Sequence, residues 1–334
     1  MGLVFLCFTI HAVLLAKLNS VAEIGPEPIE IDVAIILVGM FLVFSGIKAP
    51  WTLSLAKGFV YYSLIVVGFT VVIGGLHFNP LPVFNLEYGS DQIGREEDYS
   101  LGLSYFFGLS AIAAVLLMTS ELRLRNRFLY GIFCLAFIFL CVLGGGRGEI
   151  IATLVVVLLV VLSRLRFITG AALIVIFVIF GAIVFSLEGV ETFSFYKRFS
   201  LLLDGNLSTR DTLLIDVFML LQDYPDCLIW GCGLGYFQHY YGYNVGLYPH
   251  NSIAEAVIVF GLPVTIVTAA LYARGIIVYR NRVGEIDMLL AFSIYAALVS
   301  LKSQSLYGSW IFLVSILIFF WIGIAWRGEA SIKR

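Results

Sequence analysis

Charge is scarce in this chain. Only 13% of the residues are Asp, Glu, Lys or Arg, against 61% hydrophobic, whereas a soluble domain carries about 25% charged residues. For a chain of 334 residues that shortage excludes the soluble fold classes and leaves a polytopic membrane protein. The alternating segments of a membrane barrel are missing too. A lone strand cannot satisfy its backbone in lipid, so the long apolar runs read as helices. The five cysteines lack zinc spacing. Cys7, Cys134 and Cys141 fall in apolar runs. Cys227 and Cys232 share a loop, where a disulfide is open to them, but two small apolar residues is the favoured reading. No basic residue precedes the first apolar run and no small-residue cleavage site follows it, so that run reads as a span and not as a signal peptide. A net charge of −2 identifies no partner, and no nucleic-acid partner is expected. Repeats and low-complexity tracts are absent, so residues 1–334 read as a single integral membrane domain.

What is there is an all-α pattern of about ten spans, near 2–17, 32–49, 59–78, 101–120, 128–144, 147–163, 171–190, 250–273, 288–304 and 308–326. Basic residues occupy alternate connections: Lys48 and Lys57, then Arg123, Arg125 and Arg127, then Arg164 and Arg166, then Arg274, Arg280 and Arg282, then Arg327, Lys333 and Arg334. The excess of Lys and Arg in cytoplasmic loops puts all five on the cytoplasmic side, together with both termini. The opposite connections, at 18–31, 79–100, 144–147, 191–249 and 303–308, are acidic, aromatic or glycine-rich. The loop at 191–249, between spans seven and eight, is too long for a mere connection. Within it residues 209–222 show helical spacing of apolar residues, with Ser208 or Thr209 as N-cap. That segment reads as an amphipathic helix at the outer membrane surface.

Chemistry-bearing residues gather on the outer side. Arg147 follows three glycines in Gly144-Gly145-Gly146-Arg147, and an arginine at that depth in a membrane marks a site by default. Arg198 and Arg210 lie in the long loop, and guanidinium groups bind phosphate in bidentate fashion. Gly231, Gly233 and Gly235 open a stretch rich in tyrosine (Tyr236, Tyr240, Tyr241, Tyr243 and Tyr248). These tyrosines suit both a membrane interface and the face of a sugar ring. Pro249-His250-Asn251 then starts a helix whose N-terminus suits a phosphate or a developing anion. Glu255 lies on the same helix face as Asn251 and needs a cationic partner, for which Arg147 and Arg210 are the candidates. Lys197, Lys302 and His239 carry a weaker pattern.

An arginine after glycines at an outer span edge, a long outer loop with Thr209-Arg210, a G-x-G-x-G run, and His250-Asn251-x-x-x-Glu255 with Gly261 six residues on form an ordered set. It resembles the C-terminal half of the O-antigen polymerase and O-antigen ligase superfamily of bacterial envelope glycosyltransferases, over residues 140–265. Members of that superfamily often carry more spans, so the N-terminal half here is short by comparison. The resemblance implies inverting glycan transfer from undecaprenyl diphosphate at the periplasmic face of the inner membrane, without metal or other cofactor. No Asp-x-Asp pattern stands in an outer loop, and the charge stabilisation then falls to cationic side chains. His250, Arg147, Arg210 and Glu255 would be catalytic. Asn251, Arg198, Tyr248, Gly233 and Gly235 would bind substrate. The implied partners are the lipid-linked donor, the glycan acceptor and the bilayer, with a chain-length regulator and a flippase beside them. Polymerase is the expected activity. Ligation to lipid A core shares its donor chemistry, and transport of lipid-linked oligosaccharide is the reading from another class. Transport sites usually sit at mid-membrane, on broken helices in repeated halves.

Overall fold

The computed structural model describes residues 51–72, 76–78, 82–84, 101–165, 209–243, 247–302 and 310–325. The spans expected at 2–17, 32–49 and 171–190 lie outside the described residues. Four of the described helices are long and apolar enough to cross a membrane. In chain order the elements are α1 (Trp51–Val72), the strands β1 (Leu76–Phe78) and β2 (Pro82–Phe84), α2 (Leu101–Ser120), α3 (Leu124–Leu143), α4 (Arg147–Arg164), α5 (Thr209–Asp223), α6 (Pro225–Trp230), α7 (Tyr236–Tyr241), α8 (Ser252–Phe260), α9 (Leu262–Val283), α10 (Met288–Ser300) and α11 (Trp310–Ala325). Apart from one small antiparallel hairpin, with His77 opposite Val83, the described elements are helices, as the all-α reading expects. These elements fall into two compact units. One holds α1–α4, the hairpin and residues 288–295 of α10; the other holds α5–α9, the rest of α10 and α11.

The first unit is built around α2. Its sequence is apolar all round, the pattern of a helix enclosed by others, and residues from Phe107 to Leu117 are buried without interruption. Ser63 of α1 and Ser110 of α2 join through their hydroxyls at 2.8 Å. The far face of α1 stays exposed at Tyr61, Tyr62, Ile65 and Phe69, as expected of a helix facing lipid. The helix begins at Trp51, earlier than the span expected at 59–78, so Lys57 lies inside α1 and not in a turn. An ion pair at 3.5 Å with Glu121, just past the end of α2, makes that depth tolerable for a long flexible cation. Arg164, at the end of α4, has a side chain only 7% exposed. It donates to the Ile286 carbonyl at 3.0 Å and to the Ser120 hydroxyl, and it pairs with Glu285 at 3.3 Å. A guanidinium with its donors satisfied in this way ties the start of the 285–295 segment to the ends of α2 and α4.

In the second unit the single span expected at 250–273 is two helices. Gly261 breaks it at φ 83°, and Pro263 stands in the first turn of α9. A proline there removes a hydrogen bond the preceding helix would need and favours a fresh start. α8 keeps nine residues, about 14 Å of helix, which is too short for a hydrocarbon core of about 30 Å. α9 instead runs on to Val283, so Arg274, Arg280 and Arg282 lie within it and not after it. It ends at Gly284, whose N–H donates to the Arg280 carbonyl at 2.8 Å from a left-handed conformation, a standard glycine stop. α9 and α11 cross at close range through small residues. A Cβ on Gly275 would collide with the Phe319 carbonyl, and one on Gly323 with the Leu271 carbonyl. Close backbone approach is how helices gain packing energy where lipid removes the hydrophobic incentive.

Gly275→Ala should therefore lower thermal stability in detergent by about 1–3 kcal/mol, the usual cost of overpacking. Gly58→Ala on α1, with open space around its Cβ position, should leave it unchanged or raise it slightly. Equal effects of the two substitutions on Tm would show that the α9–α11 crossing does not depend on its glycines.

Candidate functional site

Except for Arg210 in α5, the described candidate residues of the second unit lie at or near the two ends of α8. At its C-terminal end the carbonyls of the last turn have no helical partner. Two are taken by the glycine run: Cys232 N–H donates to Ile258 O at 2.6 Å, and Gly233 N–H donates to Val259 O at 3.3 Å. The two strands of chain touch backbone to backbone, since a Cβ on Gly231 would strike the Val259 carbonyl and one on Gly261 the Ile229 carbonyl. Gly231, Gly233 and Gly235 all have positive φ, between 70° and 91°. Gly235 serves as N-cap of α7. The G-x-G-x-G run is thus the seat of α8, with the Gly233 amide directed at the helix.

Cys227 and Cys232 form a disulfide, with Cα atoms 4.9 Å apart. This corrects the reading of them as two small apolar residues. The turn Leu228–Gly231 brings them to bonding distance once Gly231 takes its positive φ, which sequence spacing alone does not reveal. The bridge is buried with Leu213, Val217, Leu220, Phe237 and Ile258, a small core joining α5, α6, α7 and α8.

Tyrosines close that core from one side. Tyr240 donates to Asp223 at 2.8 Å, Tyr243 donates to the Asp216 carboxylate at 2.9 Å, and Tyr241 donates to the Asp216 carbonyl at 2.7 Å. Rings of Tyr224, Tyr236 and Tyr240 meet edge-on or stacked with centroids 5.3–6.4 Å apart. Three of the tyrosines considered for sugar contacts use their hydroxyls to hold α7 and Tyr243 to α5.

At the N-terminal end of α8, Asn251 is the cap. Its Oδ1 accepts from the amides of Ile253 and Ala254, both at 3.0 Å. The helix starts at Ser252, two residues later than a start at His250 would place it. Two amides expected to face an anion are occupied by the cap, because a short side-chain oxygen at this position reaches them first. His250 stands just outside, half-buried, at φ 52°. It is the one non-glycine residue with positive φ among the described residues, a conformation uncommon outside glycine. Its ring lies against Tyr248, centroids 4.0 Å apart. Glu255 is half-buried in the first turn, where the helix dipole favours its charge. Ser252 donates to the Ser300 carbonyl at 2.9 Å. That bond brings the turn at Leu301–Lys302 to the same end of α8 as His250, a cation that the sequence pattern alone does not single out.

No family model and no curated protein matches this chain. Its site is therefore defined by its own geometry.

Arg147 belongs to the other unit, as the first residue of α4, and is half-buried. The turn before it is fixed by Ser104, whose hydroxyl accepts from Gly146 N–H at 2.9 Å and donates to the Cys141 carbonyl at 3.0 Å. Gly145 supplies a left-handed residue at φ 78°. A Cβ on Gly146 would run into the Glu149 carboxylate, and Glu149 is 1% exposed, the most buried charged side chain among the described residues. The Arg-x-Glu spacing at the start of a span is the signal that could have found it. Arg210 is the second residue of α5. Arg198 lies outside the described residues. Among the described residues no three of His, Cys, Asp and Glu gather as metal ligands.

The Asp223 carboxylate beside Tyr240 pushes that phenol up to about 12, with burial and further charge adding to the effect. The phenol stays protonated in the folded chain where a free one would ionise. Its bond to Asp223 therefore supports the fold fully below about pH 10 and is lost as pH rises through about 12. In spectrophotometric titration of the folded protein, Tyr240→Phe should remove one tyrosine from the late-ionising group. Unchanged titration curves would exclude the bond. Cys227 and Cys232 should resist alkylation until a reductant is added, as read by mass spectrometry of the 227–232 peptide.

Proposed function

We propose that this chain is an integral membrane glycosyltransferase, which joins oligosaccharide repeat units carried on undecaprenyl diphosphate at the extracytoplasmic face of a bacterial inner membrane. The observation that carries the reading is His250. It is held in a left-handed backbone conformation at the mouth of α8, between a buried proline and a capping asparagine, with Glu255 one turn below. Uncommon backbone conformations persist where the surroundings over-determine them, and they cluster at sites of function. The disulfide supports the placement of this segment outside the cytoplasm, since such bridges persist in oxidising compartments.

In the proposed reaction the acceptor hydroxyl oxygen attacks the anomeric carbon of the donor glycan. The bond from that carbon to the diphosphate breaks with inversion, and undecaprenyl diphosphate leaves. His250 receives the hydroxyl proton. Arg147 and Arg210 meet the charge that grows on the diphosphate, with Arg198 as a further contact in the long loop. Glu255 orients His250 or one of the arginines. Tyr248 fixes the imidazole plane, and Asn251 keeps the helix entrance in place.

The test is complementation of a deletion strain at matched membrane levels, with surface and lipid-linked glycan read by gel and mass spectrometry. Arg147→Ala should cut chain elongation by about a hundredfold or more. His250→Gly suits a positive φ better than histidine does, so it should keep or raise Tm while lowering activity by at least about a hundredfold. Lipid A core capped with single repeat units identifies a polymerase. Full-length chains accumulating on undecaprenyl diphosphate identify a ligase with the same site. Restoration of the wild-type pattern by both variants would overturn the site and bring transport forward.

A further inference from the structure

In the second unit, α5 is apolar on two opposite faces. Leu213, Val217 and Leu220 point into the small core with the disulfide. On the other side Ile215 and Phe218 are 55% and 62% exposed, with Met219 beside them. Over residues 212–223 the charges are Asp216 and Asp223, and both accept bonds from tyrosines of the 240–243 segment. The outward face of that stretch therefore carries no charge. An apolar stripe on the outward face, opposite the stripe that fills the core, suits a helix lying at the boundary of a membrane. At 15 residues α5 is about 22 Å long, short of the roughly 30 Å hydrocarbon core, so it does not span.

The next helix continues the pattern. α6 exposes Leu228, Ile229 and Trp230 in succession, with Trp230 at 68%. Its end touches the start of α9, because the Ile229 carbonyl lies where a Cβ on Gly261 would sit. α9 is one of the helices able to cross a membrane, and it exposes Leu262, Ile266 and Val267 just below that contact. The apolar surface of α6 is thus continuous with the lipid-facing surface of a span. The core beneath it holds Leu213, Val217, Leu220, Phe237 and Ile258 with the disulfide, on the opposite side of α5 from Ile215 and Phe218.

We infer that α5 and α6 form a membrane-embedded shelf. Its outward face, Ile215, Phe218, Met219, Leu228, Ile229 and Trp230, lies among the acyl chains of one leaflet, beside the upper end of α9. The occupant of this surface is lipid. The segment is neither a water-exposed loop nor a docking face for another protein. Apolar side chains at the boundary of headgroup and acyl chain, with a tryptophan at the edge, are the usual means of such anchoring. The shelf fixes the depth at which α8 starts, because α5 and α6 share a core with it.

The full chain, purified and reconstituted in phosphatidylcholine vesicles, tests this. Trp230 is isolated as the difference in emission between the wild type and Trp230→Phe, since four other tryptophans are present. Vesicles with acyl chains brominated near the glycerol end should quench that difference roughly twofold or more, while aqueous acrylamide should barely affect it. A second reporter, Phe218→Trp placed in the Trp230→Phe background, should behave in the same way. Acrylamide quenching of both reporters without bromolipid quenching would make the face water-exposed and overturn the inference. Shielding from both quenchers, relieved on dilution of protein in lipid, would assign the face to a second copy of the chain and overturn it equally.

Discussion

The unpaired carbonyls at the C-terminal end of α8 set the terms for the second unit. A nine-residue helix that stops short must place its last polar groups somewhere, and an unsatisfied backbone group away from water costs several kcal/mol in an apolar medium. Here the solution is a second piece of backbone laid alongside, with Cys232 and Gly233 donating to Ile258 and Val259. Such close approach tolerates no side chain at Gly231 or Gly261. Once those positions are glycine, the sharp turns at both follow, α9 starts anew, and the disulfide can close across the turn. The position of His250, at the other end of the same short helix, is inherited from this seat.

The first unit meets the same constraint by other means. The turn between α3 and α4 is closed by one serine hydroxyl that both accepts and donates, and the glycines let α2 lie against it. A carboxylate, Glu149, is packed into the first turn of α4 where the helix dipole favours it. Both units therefore present a charged or titratable residue, Arg147 or His250, beside a helix start held by one short polar side chain bonded to backbone, Ser104 or Asn251.

Much of this was legible in the sequence. The apolar runs locate α2, α3, α4, α10 and α11 to within a few residues, because a continuous hydrophobic stretch has few other uses. α5 was legible from the spacing at 209–222. The break at Gly261 was not, since a glycine within an apolar run is also common in uninterrupted membrane helices. The earlier start of α1 was hidden because Lys57 looks like a loop residue until its partner Glu121, 64 positions away (121 − 57), is known. The disulfide was written in the residue types but not in their spacing. For the candidate site, the residues His250, Asn251 and Glu255 were visible as a cluster. Their division of labour was not, because whether Asn251 faces a ligand or caps its own helix depends on where the helix starts.

The bridge between Cys227 and Cys232 also orders events in the life of the chain. In any compartment that keeps thiols reduced, the seat beneath the C-terminal end of α8 lacks its covalent tie and keeps its two backbone hydrogen bonds and apolar contacts. Oxidation of the pair makes the seat permanent. A newly made chain therefore acquires the covalent tie beneath α8 only where residues 227–232 meet oxidising conditions.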